Sequence, residues 1–253
     1  MTMDLRRRVA RLRARQMPRV AAGPAAGLRV SKAGASADYA KGTNELPVQV
    51  ALADVLEPGG VFLDIGANVG FFALLAAREV GPTGDVYAVE PVPENAEHIR
   101  RSARRNRLEI EVLELALTDA VGSTTLLLAR HPGGAAVASA GEPPDPAGSI
   151  EVRTDTVDDL VASGRIRPPS VVKVDVEGAE VAVLAGMVDT MREHGPIVLC
   201  EVDGADQARL EAKRAEIVAL LEGAGYSIET LAPSYEGSEW PVEHLLARSA
   251  TDG

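Results

Sequence analysis

The sequence predicts a doubly wound α/β fold, a mostly parallel sheet with helices on both faces. Short runs rich in Val, Ile and Leu recur with little polar interruption, as in VFLDI (61–65), VVKVD (171–175) and IVLCEV (197–202). That is the pattern of strands buried on both sides. Longer stretches with helical spacing of apolar residues alternate with them, the order that builds a sheet covered on both faces. The last two runs, YSIETL (226–231) and VEHLLAR (242–248), lie too close for a helical crossover and are expected to pair as a hairpin.

Along the chain, Leu46–Leu56 reads as a helix closed by Pro58 and Gly59. VFLDI is the first strand, and a helix over Phe71–Val80 follows. VYAVE (86–90) is the second strand, with a helix over 94–106, and IEVLELAL (110–117) is the third. VVKVD is the fourth, followed by a helix over about 179–192, and IVLCEV is the fifth, followed by the helix Gln207–Glu222. One stretch breaks the alternation. RHPGGAAVASAGEPPDPAGS (130–149) is rich in Gly, Pro and Ala and separates strand-like TTLLLA (124–129) from SIEVRT (149–154). A loop of that length inside a compact domain reads as a lid or a disordered insertion.

The 253 residues suffice for a single core without disulfides or structural metal. Apolar residues at 46% and charged residues at 25% are ordinary for a soluble globular chain. No run of about 18 apolar residues exists, which excludes a membrane-spanning helix. The lone Cys200 cannot form an internal disulfide and fits a reducing, cytoplasmic setting. Aromatics at 3% argue against a stacking platform for single-stranded nucleic acid.

Net charge is −11, unevenly spread. Residues 1–32 hold nine basic groups and one acid, so the other 221 residues carry −19, the difference between −11 and +8. An acidic body repels phosphate backbones and anionic lipid. MTMDLRRRVARLRARQMPR places Leu5, Val9 and Leu12 at helical spacing among arginines, with Pro18 as a stop. Three apolar residues make a narrow face, so this reads as a short helix docking on the acidic body, with a membrane-surface or nucleic-acid tail as the alternative. No apolar core follows the arginines, unlike a signal peptide. AAGPAAGLRVSKAGAS (21–36) reads as a linker or adaptable lid. The chain thus divides into a basic arm and linker, 1–44, and one domain, 45–253, carrying the 130–149 loop.

In such sheets ligands bind beyond the carboxyl ends of the strands. The first strand runs into Asp64-Ile65-Gly66-Ala67-Asn68-Val69-Gly70, directly before a helix. Gly66 and Gly70 let backbone pass close to a ligand, and Asp64 offers a carboxylate to a ligand ammonium. The spacing is G-x-N-x-G, not the G-x-G-x-x-G of dinucleotide sites. Glu90 ends the second strand, placed to accept from both ribose hydroxyls of a nucleoside. Together these favour S-adenosylmethionine over NAD. Asp119, after the third strand, is a candidate acceptor for the adenine amine, although it and Asp64 also suit turn capping.

The fourth strand ends in Lys173-Val174-Asp175-Val176-Glu177-Gly178-Ala179-Glu180. Three carboxylates in six residues at a ligand edge are costly unless solvated, paired or used. Asp175 or Glu177 is the candidate proton acceptor for a hydroxyl undergoing methylation. Glu180 fits the helix dipole equally well. Glu201, at the end of the fifth strand, is a third catalytic candidate. Asp175, Glu177, Glu201 and Asp203 supply hard oxygen ligands, with Asp175 and Glu201 leading, so Mg²⁺ is an alternative to a protein base. Cys200 reads as a packed strand residue.

DIGANVGFF (64–72), EPVPENAEHI (90–99), TDTVDDL (154–160) and KVDVEGAEVAVLAG (173–186), in this order, resemble the FkbM family of class I, S-adenosylmethionine-dependent methyltransferases. The resemblance covers about residues 60–202 and is most specific in the DVEG-x-E piece. It implies a seven-stranded Rossmann-like sheet whose last strand is antiparallel. It implies that Asp64, Gly66, Asn68, Gly70 and Glu90 surround the cofactor. It also implies O-methylation of sugars, glycolipids or secondary metabolites.

The arm and the 130–149 loop fall outside that resemblance. The acceptor pocket is expected from the loop, the segment before the first strand, and APSYEGSEWP (232–241) with Tyr235 and Trp240. His131 and His244 are possible bases; His131, on the loop, is also a candidate for the substrate wall, and His244, inside a strand pattern, reads first as a satisfied structural residue. The expected activity is O-methylation of a small polar hydroxylated metabolite, with homo-oligomerisation left open. The alternative is an N-methyltransferase, or a nucleic-acid methyltransferase using the arm. The fourth strand lacks the Asn/Asp-Pro-Pro-aromatic run that grips a base amine, and the acidic body argues the same way. A nicotinamide oxidoreductase is disfavoured by the glycine spacing. A non-catalytic cofactor-binding module is disfavoured by the carboxylates at the fourth and fifth strands.

Overall fold

The computed structural model describes residues 17–31, 37–129, 135–137, 146–235 and 241–250. Two short helices, α1 (Ala37–Lys41) and α2 (Leu46–Val55), lead into β1 (Val61–Ile65). The chain continues through α3 (Phe71–Val80), β2 (Asp85–Val89), α4 (Pro93–Asn106) and β3 (Glu111–Leu113). After an excursion described below come α5 (Val157–Ala162), β8 (Val171–Val174), α6 (Glu180–Ala185) and α7 (Val188–His194). The last elements are β9 (Ile197–Asp203), α8 (Gln207–Gly223), β10 (Tyr226–Thr230) and β11 (Val242–Ser249).

The main sheet has seven strands in the order β10-β11-β9-β8-β1-β2-β3. The pairs β9–β8, β8–β1, β1–β2 and β2–β3 are parallel, and β11 is antiparallel to both β10 and β9. The short link before β11 returns the chain as a hairpin, as the spacing of the last two runs predicts. This is the mostly parallel, doubly wound sheet with an antiparallel last strand expected for the class I methyltransferase architecture.

Strand alternation sorts the core onto two faces. Val61, Leu63 and Ile65 pack with Leu160, Leu184, Met187, Ile217 and Leu221 on one side. Phe62 packs with Leu52, Phe72, Leu75 and Ile99 on the other. Asp64 shares the parity of Phe62, so the strand that builds the core also buries a carboxylate. Side-chain caps fix helix starts: Thr156 accepts from the Asp159 N–H at 2.9 Å, and Asp206 accepts from Arg209 N–H at 2.8 Å.

Three expectations need correction. IEVLELAL is not one strand. It breaks after Leu113, and β4 (Ala116–Leu117) pairs with β7 (Pro146–Asp155) in a separate sheet, order β4-β7-β5-β6, with β5 (Gly122–Ala129) and β6 (Ala135–Val137). The helix expected over 179–192 is two helices. A Cβ at Gly186 would lie 2.1 Å from the Thr118 carbonyl oxygen, so chain crosses there. The Asp158 carboxylate then starts α7 by accepting from Asp189 N–H (3.1 Å) and Thr190 N–H (2.7 Å). Lastly, the described part of the linker, residues 21–31, is anchored on the core rather than free along its length. Val20, Ala25, Leu28 and Val30 are buried in the Phe62 side of the core. Asn106 pins this segment to α4, accepting from Arg29 N–H (2.8 Å) and donating to Arg29 O (2.7 Å).

Candidate functional site

A cleft of about 390 Å³ opens at the carboxyl ends of β1, β2 and β8 and extends to β9 and the start of α2. That size falls in the range of small-molecule sites, ~300–1,000 Å³.

Its first half comes from the β1 and β2 ends. Asp64 is 1% exposed, and neither of its carboxylate oxygens has a hydrogen-bond partner among the described residues. Burial raises its pKa to about 6, with Lys173 and the nearby Ala73 N–H opposing and Asp175 adding to the rise. The next turn carries Gly66 at φ +82°, where a Cβ would lie 1.7 Å from the Asp175 carbonyl oxygen. Only glycine lets the β1 and β8 ends approach this closely. Asn68 follows at φ 50° with its Oδ1 buried and without a partner. Its N–H donates to Glu90 Oε2 at 2.8 Å, while Val92 N–H (2.8 Å) and Asn95 Nδ2 (3.4 Å) donate to Glu90 Oε1. These donors fix the carboxylate; burial nevertheless raises its pKa to about 7. Val89, Leu115, Ala116, Leu117 and Leu126 give this half an apolar wall.

The second half gathers distant residues. Lys173 is 3% exposed, donates to Asp175 Oδ2 at 2.6 Å and lies 4.6 Å from the centroid of the Phe72 ring. Burial disfavours its charge, but Asp175, Glu45, Asp64 and Glu201 outweigh that and hold it protonated. Glu177 is exposed in the turn after β8 at φ 50°. Its pKa rises to about 8, from partial burial first and then from the carboxylates of Asp175, Asp203, Glu201 and Glu180. At the far wall His244 Nε2 lies 2.9 Å from Glu201 Oε2 and 3.5 Å from Glu45 Oε2. The Tyr235 hydroxyl donates to Glu45 Oε1 at 3.0 Å. Burial raises the pKa of Glu201 to about 7. Burial pushes the pKa of His244 down, but the Glu201 and Glu45 carboxylates beside its ring N–H outweigh that and raise it to about 9.

The structure therefore brings Gly66, Asn68, Glu90, Asp175, Glu177, Glu201 and Tyr235 to one cleft, with Asp64 buried next to it. It does not bring Asp119, which is exposed and off the cleft wall, because the break after β3 carries the chain past the cleft before residue 119. Gly70 is also off the wall. A Cβ there would meet Ile99 at 3.0 Å, so this glycine serves the packing of α3 on α4. The alternative Mg²⁺ set of Asp175, Glu177, Glu201 and Asp203 does not come together as one cluster among the described residues. Asp175 is bound to Lys173, and Asp203 pairs with Lys213 at 2.5 Å. Lys213 also pairs with Glu180 at 3.0 Å, which accounts for that carboxylate. Cys200 is buried, and burial raises its thiol pKa. His131 and Trp240 lie outside the described residues, as does the arginine-rich stretch 1–16. Among the described residues no helix is long and apolar enough to cross a membrane.

Sequence reasoning missed Glu45 and passed over Lys173. Glu45 precedes the first strand and carries no motif. Lys173 sits in the DVEG run, where its parity with Asp64 on the neighbouring strand was the available signal.

Comparison with known proteins fits this geometry. The FkbM methyltransferase domain model matches residues 64–228, more than half of the chain. The chain is 31% identical over 221 residues to a 31-O-demethyl-FK506 methyltransferase, FkbM, from Streptomyces tacrolimicus, covering 76% of this chain and 82% of that protein. It is 29% identical over 167 residues to the hexuronic acid methyltransferase AglP of Haloferax volcanii, covering 64% of this chain and 66% of that one. In fold it is similar to the crystal structure of an FkbM methyltransferase from Methylobacillus flagellatus, with a TM-score of 0.51 and 16% identity over 80% of this chain and 50% of that one. The glycine turn, the two strand-end carboxylates and the DVEG turn that frame the cleft all fall within the matched residues, and the chain belongs to the FkbM family of methyltransferases.

Proposed function

We propose that this methyltransferase uses S-adenosylmethionine to methylate a hydroxyl of a small polar metabolite. The observation that carries the reading is the buried Asp64 carboxylate, with no hydrogen-bond partner for either oxygen among the described residues, beside a Glu90 carboxylate fixed by backbone donors. Such a carboxylate asks for a cationic partner. Asp64 and the unpartnered Asn68 Oδ1 suit the amino-acid end of S-adenosylmethionine. Glu90 has lone pairs left for ribose hydroxyls, and the Leu115–Leu117 wall suits the adenine. When bound, S-adenosylmethionine supplies an electrophilic methyl on a sulfonium for direct displacement by a nucleophile.

The other half of the cleft has groups for a hydroxyl acceptor. Lys173 holds Asp175 in one orientation, which leaves Glu177 as the less encumbered carboxylate. Glu177, raised to about 8, accepts the hydroxyl proton as the oxygen becomes the nucleophile. Two relatives support an oxygen acceptor by their names, one for an O-demethyl substrate and one for a hexuronic acid.

The test is incubation with S-adenosylmethionine labelled with ¹³C in its methyl group and a panel of uronic acids, sugars and polyhydroxylated macrolides. The expected product carries a ¹³C methoxy carbon. A product with an N-methyl carbon overturns the oxygen acceptor. Retention of activity in Glu177→Gln overturns the proton-acceptor role.

A further inference from the structure

We propose that Glu45, Glu201 and His244 form a binding site for a first-row divalent metal ion in the wall of the acceptor half. Three separate parts of the chain converge there. Glu45 precedes α2, Glu201 lies in β9, and His244 lies in β11 directly opposite Glu201 in the antiparallel pair. One oxygen of each carboxylate and one ring nitrogen lie within 4.8 Å of one another. The distances from His244 Nε2, 2.9 Å to Glu201 Oε2 and 3.5 Å to Glu45 Oε2, match the spacing of neighbouring ligands around one small cation.

Each ligand is held from behind. His244 Nδ1 lies 3.3 Å from the Ser234 hydroxyl, which turns Nε2 toward the carboxylates. Metal-binding imidazoles are commonly oriented this way. Glu45 Oε1 accepts from Tyr235 (3.0 Å) and Asn44 Nδ2 (3.0 Å). Glu45 Oε2 is buried in a residue only 6% exposed, and among the described residues its one polar neighbour is His244 Nε2, 3.5 Å away in the cluster.

Charge points the same way. Asp38, Glu45, Glu90, Asp175, Glu177 and Glu201 line the cleft, and the one lysine there among the described residues is committed to Asp175. Two carboxylates and an imidazole favour Mn²⁺, Fe²⁺ or Zn²⁺ over Mg²⁺, which prefers all-oxygen shells. Glu45 and His244 lie outside residues 64–228, which the family model matches, and Glu201 lies within them. Its role rests on the proposed methyl transfer: an ion there binds the acceptor oxygen and makes its proton easier for Glu177 to remove. The binding itself does not depend on that reading.

The test uses the full chain stripped of metal with EDTA, titrated calorimetrically with MnCl₂ and, separately, ZnCl₂. Electron-spin-echo measurement on the Mn²⁺ form and S-adenosylhomocysteine titration of the same samples follow. A single saturable ion with ¹⁴N coupling from an imidazole is expected. At least about tenfold weaker binding is expected in Glu201→Gln, Glu45→Gln and His244→Gln. Retained S-adenosylhomocysteine binding shows that each variant is folded, and any one folded variant suffices. No saturable binding to the stripped wild type overturns the site and leaves His244 as an ion pair closed on two carboxylates. Undiminished binding in the folded variants, or a Mn²⁺ signal without nitrogen coupling, overturns it as well. Metal binding with no S-adenosylhomocysteine binding keeps the site and rejects the cofactor reading.

Discussion

The proposed cofactor half of the cleft and the proposed acceptor half are built from very different lengths of chain. Asp64, Gly66, Asn68 and Glu90 come from one strand-turn-helix-strand unit, and their contacts are short-range: Asn68 N–H to Glu90, Val92 N–H to Glu90. The acceptor half joins Glu45, Lys173, Glu201, Tyr235 and His244, and the Tyr235–Glu45 hydrogen bond spans 190 residues of sequence. In the first half the backbone does the positioning. In the second, side chains hold one another through ion pairs that exist only once the sheet has formed. A local unit can be lifted between proteins unchanged, whereas a site of converging side chains varies with any element that moves.

The largest expected effect is at the junction of the halves. Gly66→Ala would put a Cβ 1.7 Å from the Asp175 carbonyl oxygen at φ +82°, so it should cost more than about 4 kcal/mol or prevent folding. Gly70→Ala, which meets only the side chain of Ile99, should cost about 1–2 kcal/mol. Urea unfolding of both variants measures the contrast; equal costs would mean that the two strand ends are not locked together.

Next in size is Lys173→Met. It strands Asp175 and leaves Asp64, Glu45 and Glu201 without their shared cation, a loss of about 3–5 kcal/mol. The same denaturation experiment reads it, and a change under 1 kcal/mol would show that the acceptor half does not depend on this lysine.

A pH series separates empty from filled protein. Asp64 at about 6 and Glu90 at about 7 lie above the ordinary values of 3.8 and 4.5. The native state therefore holds protons that the unfolded chain has released, so these two groups make the ligand-free protein less stable as pH rises from about 4 to about 7. Affinity for S-adenosylhomocysteine should move oppositely, falling roughly tenfold or more as pH drops through about 7 to below 6. Affinity that is flat with pH would remove Asp64 and Glu90 from the ligand. The smallest effect belongs to Asp119→Ala, an exposed position off the cleft, where cofactor affinity should stay within about twofold.

The same division explains what the sequence made legible. Strand parity, Pro and Gly stops and the glycine turn located β1, α3, β2 and the Glu90 carboxylate to within a residue or so. Those signals are local, and so is the structure they encode. Asp119 was misplaced because IEVLELAL reads as one continuous strand, whereas its second part leaves for the β4-β7-β5-β6 sheet. The packing of residues 21–31 was hidden by their Ala and Gly content; small residues read as linker unless their neighbours across the fold are known. Glu45 was invisible because no spacing relates position 45 to 201 and 244. His244 reads from sequence as a structural strand residue, and only the β11–β9 register sets it against Glu201.

The division of the cleft is tested most directly by titrating S-adenosylhomocysteine calorimetrically into wild type, Glu90→Ala and Glu177→Gln. Glu90→Ala should weaken binding by about 10–100-fold, the loss of charged hydrogen bonds to the ribose, while Glu177→Gln should bind like wild type. Equal weakening in both, or none in Glu90→Ala, would contradict a cofactor half at the β1 and β2 ends and an acceptor half at β8 and β9.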